Sequence, residues 1–407
     1  MALSPIVVSV PLYVVGIAFE RWVDHRRRAG MYRFNDSVAN LATGVMQTAV
    51  GALCAAALAA PYQWLYAHAR LTDWFTQHPA LAWVVAFVGS DFFYYWFHRW
   101  SHESAIGWFS HVVHHQSEDY NLSVALRQDA WQPFFSLWFQ LPLAVLGLDP
   151  HTFASAYGFM IVYQFWIHTR FVGTVGPLEW VLNTPSHHRV HHGVDPAYLD
   201  KNYAGVFIVW DRLFGTFEPE RQHPTYGTIE PLASFNPVWA HLQYGVKLAR
   251  KVAAMPDLGS ALQAVVRGPG WLPHGARNDG ELLAQAAARV GAPRYEVPTT
   301  PALRAYVLAV FATALLASAP VLVRVTRAAE ATVLVGFAVW SLGNIGGLTE
   351  RRAWGLTSEW ARLIFLAAGG VALSMGTGHL SWLALSAVAA AMRLALPYAT
   401  RPAPTER

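Results

Sequence analysis

The sequence predicts an all-α fold, a multi-spanning membrane helical bundle capped on its cytoplasmic side by a histidine-rich cluster. Three observations carry this reading. Of 407 residues, 54% are apolar and only 13% are charged, whereas ordinary soluble domains carry about 25% charged residues. The mean hydropathy is positive, at +0.26. Of the 18 histidines, 11 fall between His98 and His192.

The formal net charge of +4 does not point to nucleic acid. The basic residues sit in short groups beside apolar runs, such as Arg26-Arg27-Arg28 and Arg351-Arg352, where membrane topology places them. The single cysteine, Cys54, excludes a disulfide framework and a thiolate metal site. Lysine is scarce against arginine and alanine, with only Lys201, Lys247 and Lys251. That usage suggests a GC-rich bacterial genome, and hence a bacterial inner membrane rather than endoplasmic reticulum.

A span needs about 20 mostly apolar residues. Candidates lie near 4–20, 38–60, 80–97, 131–148, 151–167, 302–323, 331–347, 360–378 and 380–397. The first precedes its basic cluster, the reverse of a cleaved signal peptide, so it is expected to remain as a helix. The fourth and fifth meet at Asp149-Pro150 as a tight hairpin. The count is therefore nine spans, or seven with re-entrant hairpins. Arg21, Arg26, Arg27, Arg28 and Arg33 place the end of the first span inside. The ends of the third and fifth spans, at His98 and His168, then also face the cytoplasm. Arg324 and Arg327 fall outside, against the rule. Three regions follow: a membrane catalytic region over 1–230, a cytoplasmic linker with short helices over 231–300, and a second apolar bundle over 301–407, poor in histidine and acid.

Three histidine groups stand out: His98 with His102, then His111, His114 and His115, then His188, His191 and His192, with His187 directly before. On a helix, residues three and four apart share a face. Three such helices converging bring eight imidazoles together. One metal takes roughly four to six ligands, so the spacing predicts a dimetal cap. A structural zinc site closes at four ligands, and a di-iron carboxylate bundle would need ExxH motifs that are absent here. The isolated His25, His68, His78, His151, His223, His241, His274 and His379 are expected as packed or interfacial residues.

These groups resemble the histidine boxes of the fatty acid hydroxylase/sterol desaturase superfamily. Within it, three stretches resemble the alkylglycerol-oxidising branch: HVVHHQSEDYNLSVALRQ (111–128), YQFWIHT (163–169) and the long run from Gly176 to Glu220. The resemblance covers about 35–225. It implies two Fe ions on the eight box histidines, with His168 and His187 as further ligands or their supports. It implies O₂ as oxidant and tetrahydrobiopterin, another pterin or a ferredoxin-type protein as electron donor. The implied partner is a lipid in the membrane, an ether lipid whose cleavage yields a fatty aldehyde and glycerol. Rival readings are a sterol, carotenoid or fatty-acyl hydroxylase or desaturase and, from another class, a membrane metal transporter or sensor.

Other residues carry expectations of their own. Asp91, two helical turns before His98, is placed to accept the second N–H of a ligand imidazole, or else to end a helix at the membrane surface. Glu103 could serve similarly. Glu118 and Asp119 are expected as a helix cap. Asn121, Arg127 and Gln128 are expected to bind a pterin or a lipid headgroup, or to form a solvated helix entry. Asn183, Asp200, Lys201, Asn202 and Tyr203 are candidates on the resemblance alone. The run Phe92, Phe93, Tyr94, Tyr95, Trp96 would line an alkyl channel or form an interfacial belt and packing surface.

Overall fold

In the computed structural model, residues 5–273, 279–323, 326–377 and 383–400 are described. His274, Arg324 and His379 lie outside them, as does the start of the last expected span. Among the described residues the regular structure is helical, with two isolated β-bridges and no strand. The helices used below are α1 (Val10–Arg27), α2 (Phe34–Leu53), α3 (Ala55–Ala69), α4 (Pro79–Glu103), α5 (Val112–His115), α6 (Gln132–Leu146), α7 (Pro150–Trp166), α8 (Pro185–His191), α9 (Val209–Phe214), α10 (Pro301–Leu322), α11 (Ala328–Thr349), α12 (Ala353–Thr377) and α13 (Leu383–Ala399).

Among the described residues three helices are long and apolar enough to cross a membrane: α4, α10 and α11. The pair α2 and α3 adds a fourth if its 58° bend is one broken span. The expected number was larger. The segment expected at 38–60 breaks at Cys54 into α2 and α3. Helices α6 and α7 have 15 and 17 residues, short of a full crossing. Helix α1 carries Glu20, Arg21, Asp24, Arg26 and Arg27. The chain turns at Asp149-Pro150, but α6 and α7 pack on α4 rather than on each other as a tight hairpin. Gly147 takes the left-handed conformation at φ 106°. The Asp149 carboxylate then caps α7 by accepting from the His151 and Thr152 N–H groups at 3.0 Å.

The chain divides into two compact units. The first comprises Met1–Gln47, Cys54–Leu232 and His241–Arg294; the second comprises Thr48–Leu53, Ala233–Ala240 and Tyr295–Arg407. The segment expected as a linker thus contributes to both.

In the first unit α4 is the central post. Helices α6 and α7 each pack on it, burying Tyr94, Phe97 and Met160 with Val206. The aromatic run on α4 is mostly packing surface: Tyr95 is fully buried and stacks on Phe214, while Phe92 meets Trp210 edge-on. Glu118 and Asp119 do not cap a helix. Glu118 takes Arg289 at 2.7 Å, and Asp119 takes Arg33 at 2.9 Å and Arg294 at 2.6 Å. They bind together segments far apart in sequence.

In the second unit α10 packs on α11, and α12 packs on α11 and α13. The α11–α12 approach is close because Gly347 and Gly355 face each other. A Cβ on Gly355 would sit 2.5 Å from the Gly347 carbonyl carbon, which no side chain tolerates.

Candidate metal centre

The α4 helix delivers His98 and His102 from its last two turns, four residues apart on one face. The second box is only partly helical: α5 is a single turn, and His111 stands before it as its N-cap. The third box lies on α8, opened by Pro185 at N1, with His192 at the C-cap. His168 follows α7 by two residues.

The side chains converge into two neighbouring groups. His98, His102, His111, His115 and His191 form one; His114, His168, His188 and His192 form the other. Within each group the ligand nitrogens all lie within 4.8 Å of one another. His168 thus joins the box histidines, whereas His187 falls outside both groups. No carboxylate belongs to either.

Backbone carbonyls fix most of the rings. His98 Nδ1 lies 2.7 Å from the Tyr203 oxygen, His114 Nδ1 2.8 Å from that of Arg127, His168 Nδ1 2.7 Å from that of Gln164 and His191 Nδ1 3.0 Å from that of Lys201. His111 Nδ1 meets the Gln132 side-chain oxygen at 3.0 Å. Each of these oxygens can only accept, so each Nδ1 carries the proton. In a neutral ring Nε2 is then a bare lone pair.

These lone pairs are crowded together. His98 and His111 face each other Nε2 to Nε2 at 2.9 Å, and His114 and His168 at 3.2 Å. With both protons committed to Nδ1, neither contact can be a hydrogen bond. Protonation does not relieve it, because burial pushes the His111 imidazole down to about 4 and those of His168 and His191 to about 3. Burial also holds His114, His115, His188 and His192 well below the ordinary histidine value, with neighbouring imidazoles adding to the effect. A bound cation satisfies every one of these atoms. Nine nitrogens in two groups have the capacity for two ions.

The carboxylates are placed differently from the expectation. Asp91 touches no imidazole. It accepts from the Val206 and Phe207 N–H groups at 2.6 and 2.9 Å and from the Trp210 indole at 2.9 Å. Gly205 is required beside it, since a Cβ there would lie 2.7 Å from an Asp91 oxygen. Asp211, which sequence reasoning missed, accepts from the Tyr203 and Ala204 N–H groups at 2.8 Å each. The two aspartates pin the loop whose Tyr203 and Lys201 carbonyls hold His98 and His191. Glu103 is partly exposed and pairs with Arg99 at 3.0 Å.

The polar trio is turned inward. Arg127 donates to Val113 O, Asn40 Oδ1 and Gln116 Oε1. Asn121 donates to Met31 O and accepts from Ser123, and Gln128 donates to Ala125 O. These bonds brace the loop that presents the Arg127 carbonyl to His114. Among the resemblance candidates, Asn183 donates to Ala204 O at 2.5 Å. Asn202 donates to the His187 and Glu218 carbonyls. Asp200 and Asn202 both take positive φ, at 58° and 56°, the tight bend that turns the Lys201 carbonyl to His191.

The fatty acid hydroxylase family matches this chain over residues 83–216, a stretch that holds every ligand candidate. The chain is 43% identical to alkylglycerol monooxygenase of Xenopus tropicalis over 59% of its own length and 54% of that protein. With the Danio rerio alkylglycerol monooxygenase it shares 37% identity over 82% of this chain and 75% of that one. With the ornithine lipid hydroxylase OlsE of Rhizobium tropici it shares 29% over 35% of this chain and 44% of that protein. The chain therefore belongs to the fatty acid hydroxylase family. Its match spans about half the length of the Xenopus relative. No solved structure matches it significantly.

Proposed function

We propose that this chain is an O₂-dependent di-iron monooxygenase of the membrane that hydroxylates an alkylglycerol at the carbon beside its ether oxygen. The observation that carries the metal reading is the set of converging, unprotonated Nε2 atoms. The substrate rests on the likeness to proteins named alkylglycerol monooxygenase, and the choice of iron on the resemblance of the histidine boxes to those of the family. The five-nitrogen and four-nitrogen groups would hold one iron each. Two bound irons would supply reduction of O₂ and oxidation of the C–H bond beside the ether oxygen, with two electrons from tetrahydrobiopterin or another reduced donor. The hydroxylated product is a hemiacetal, which separates into a fatty aldehyde and glycerol.

The residues of the chain have defined tasks in this reading. The carbonyls at 127, 164, 201 and 203 and the Gln132 amide keep the ligand rings in one tautomer and one orientation. Asp91 and Asp211 hold the loop that offers two of those carbonyls. The buried rings of Tyr94, Phe97 and Tyr203 exclude water. The arginine cluster at 21–33 supports a cytoplasmic face for the centre, and the arginine- and alanine-rich composition supports a bacterial inner membrane.

The test is anaerobic reconstitution with Fe(II), followed by O₂ uptake and aldehyde release on adding 1-O-alkylglycerol. Two irons per chain and stoichiometric aldehyde are expected. Oxidation of a sterol or acyl lipid without any aldehyde from alkylglycerol would remove the substrate assignment. One loosely held zinc and no O₂ uptake on any lipid would remove the enzyme reading and favour metal transport.

A further inference from the structure

His187 belongs to neither nitrogen group, yet it is only 3% exposed. It lines a cavity of about 230 Å³ together with Glu179, Trp180, Ser186, Arg212 and Phe217. The cavity presents two unmatched polar atoms. The His187 Nδ1 has no partner among the described residues. A neutral imidazole nitrogen can offer a lone pair or an N–H, according to the tautomer. The Arg212 guanidinium stands 3.8 Å from the Phe217 ring centre and 4.9 Å from that of Trp180. Its Nη2 donates to the Glu179 carbonyl at 3.1 Å, and its Nε–H is unmatched. An unsatisfied buried polar atom is costly and calls for an explanation.

Charge narrows the ligand. Glu179 already accepts the Thr184 and Ser186 hydroxyls at 2.9 and 2.8 Å, and Glu220 is gripped by two nitrogens of Arg189 at 2.8 and 2.6 Å. An anion would meet these two carboxylates. A cation would meet Arg212 and find both carboxylates engaged. The buried His187 Nδ1 and Arg212 Nε remain unmatched, and a neutral hydroxyl, which can both donate and accept, fits both. The surroundings are apolar and open: Trp180 is 69% exposed, Leu213 66% and Leu178 59%. Large exposed apolar side chains beside a polar cavity mark a lipid contact, with tryptophan suited to the membrane interface.

We propose that this cavity is the headgroup site for a neutral, hydroxyl-bearing lipid, whose tail lies over Leu178, Trp180 and Leu213. The inference rests on the substrate reading above, since an alkylglycerol has this chemistry. It gives the histidine one place before the third box a task in lipid selection.

The test uses the full-length, iron-loaded protein in vesicles of neutral phospholipid and a 1-O-alkylglycerol carrying a diazirine next to its headgroup. Photolabelling should fall on peptides containing residues 174–187 and 212–220. Unlabelled alkylglycerol should compete. A dialkyl ether without hydroxyls should not, and neither should free glycerol at the same concentration. Arg212→Met and His187→Leu should each weaken labelling about tenfold, the effect of one lost hydrogen bond, while two irons per chain confirm the fold. The same variants should raise KM rather than lower kcat. Labels elsewhere, or equal competition by the dialkyl ether or by glycerol, would overturn the site. Labelling at the cavity with no aldehyde would overturn the activity and leave the site standing; aldehyde with labelling elsewhere would do the opposite.

Discussion

The second unit buries an ion pair as deeply as the first unit buries its histidines, but the two clusters differ in what is left over. Glu359 and Arg362 are both fully buried. Two guanidinium nitrogens of Arg362 reach the Glu359 oxygens at 2.6 and 2.8 Å. Tyr306 and Asn344 donate to the same carboxylate at 2.7 and 3.0 Å. The remaining guanidinium nitrogen finds Thr313 at 3.0 Å. Donors and acceptors are matched from within the protein. Around His98 and His111 the acceptors outnumber the donors, and lone pair meets lone pair at 2.9 Å. A closed network braces a bundle; an open one is a receptor for something the chain does not supply.

That contrast can be broken in four ways. The largest effect should come from His191→Ala, which removes a ligand from the five-nitrogen group. Iron should fall below two per chain by elemental analysis, and aldehyde formation should drop at least about 100-fold, since even supports of a ligand are worth roughly 10–100-fold. Retained iron and activity would refute the ligand assignment.

Next in size is the closed network. Glu359→Gln leaves Arg362 buried without its counter-charge and should cost about 3–5 kcal/mol of unfolding free energy, read by denaturant unfolding in detergent. The paired change Glu359→Leu with Arg362→Met should recover most of it. Iron content of the folded protein should not move in either variant. Iron lost from both would join the clusters that the comparison separates.

Acid should act on the open cluster. Burial holds the folded values of His111, His168 and His191 at about 4, 3 and 3, below the unfolded value of about 6.5. Between these limits the unfolded chain binds more protons, so stability is full above about 6.5 and is lost as pH falls towards the folded values. Metal-free protein should lose on the order of a few kcal/mol between pH 7 and pH 5. A flat profile of thermal midpoint against pH over that interval would show that these rings are not buried and neutral.

The smallest effect should be Asp91→Asn. The loop at 203–210 would keep one acceptor where it now has two, and iron affinity should fall about tenfold with the fold intact. Competition with a coloured chelator measures it; an unchanged affinity would detach Asp91 from the centre.

The sequence discloses much of this site because helical spacing is a geometric statement. HxxxH and HxxHH can be read as shared faces without knowing where the helices go, and eight of the nine converging nitrogens were legible that way. His168 was found from its place at the end of a span and the family resemblance. What it could not disclose depends on long-range pairing. Asp91 looked like a direct partner of His98 because both lie on one helix face. Its real partners, at 206, 207 and 210, are over 100 residues away. Arg127 reads in the sequence as a cation free to bind a pterin or a headgroup; in the fold its guanidinium is taken up by Val113, Gln116 and, from α2, Asn40. His187 looked like a ligand because it adjoins one, and only the fold shows it in a cavity of its own. The C-terminal bundle looked poor in polar chemistry by count, and a count cannot show that its few charged residues meet.

Four of the five holds on the ligand rings are main-chain oxygens, those of Arg127, Gln164, Lys201 and Tyr203. A main-chain oxygen is the same for every amino acid. Selection can therefore rewrite the side chains at these positions without altering the proton placement at the centre, provided the loop keeps its path. Gln132 is the exception, because its hold on His111 is a side-chain amide. A survey that inferred importance from invariance would register Gln132, and Arg127 for its side-chain bonds, and pass over a support such as Lys201. In this protein part of the metal site is inherited as a path of the chain, and that path is secured by Asp91, Asp211 and Gly205.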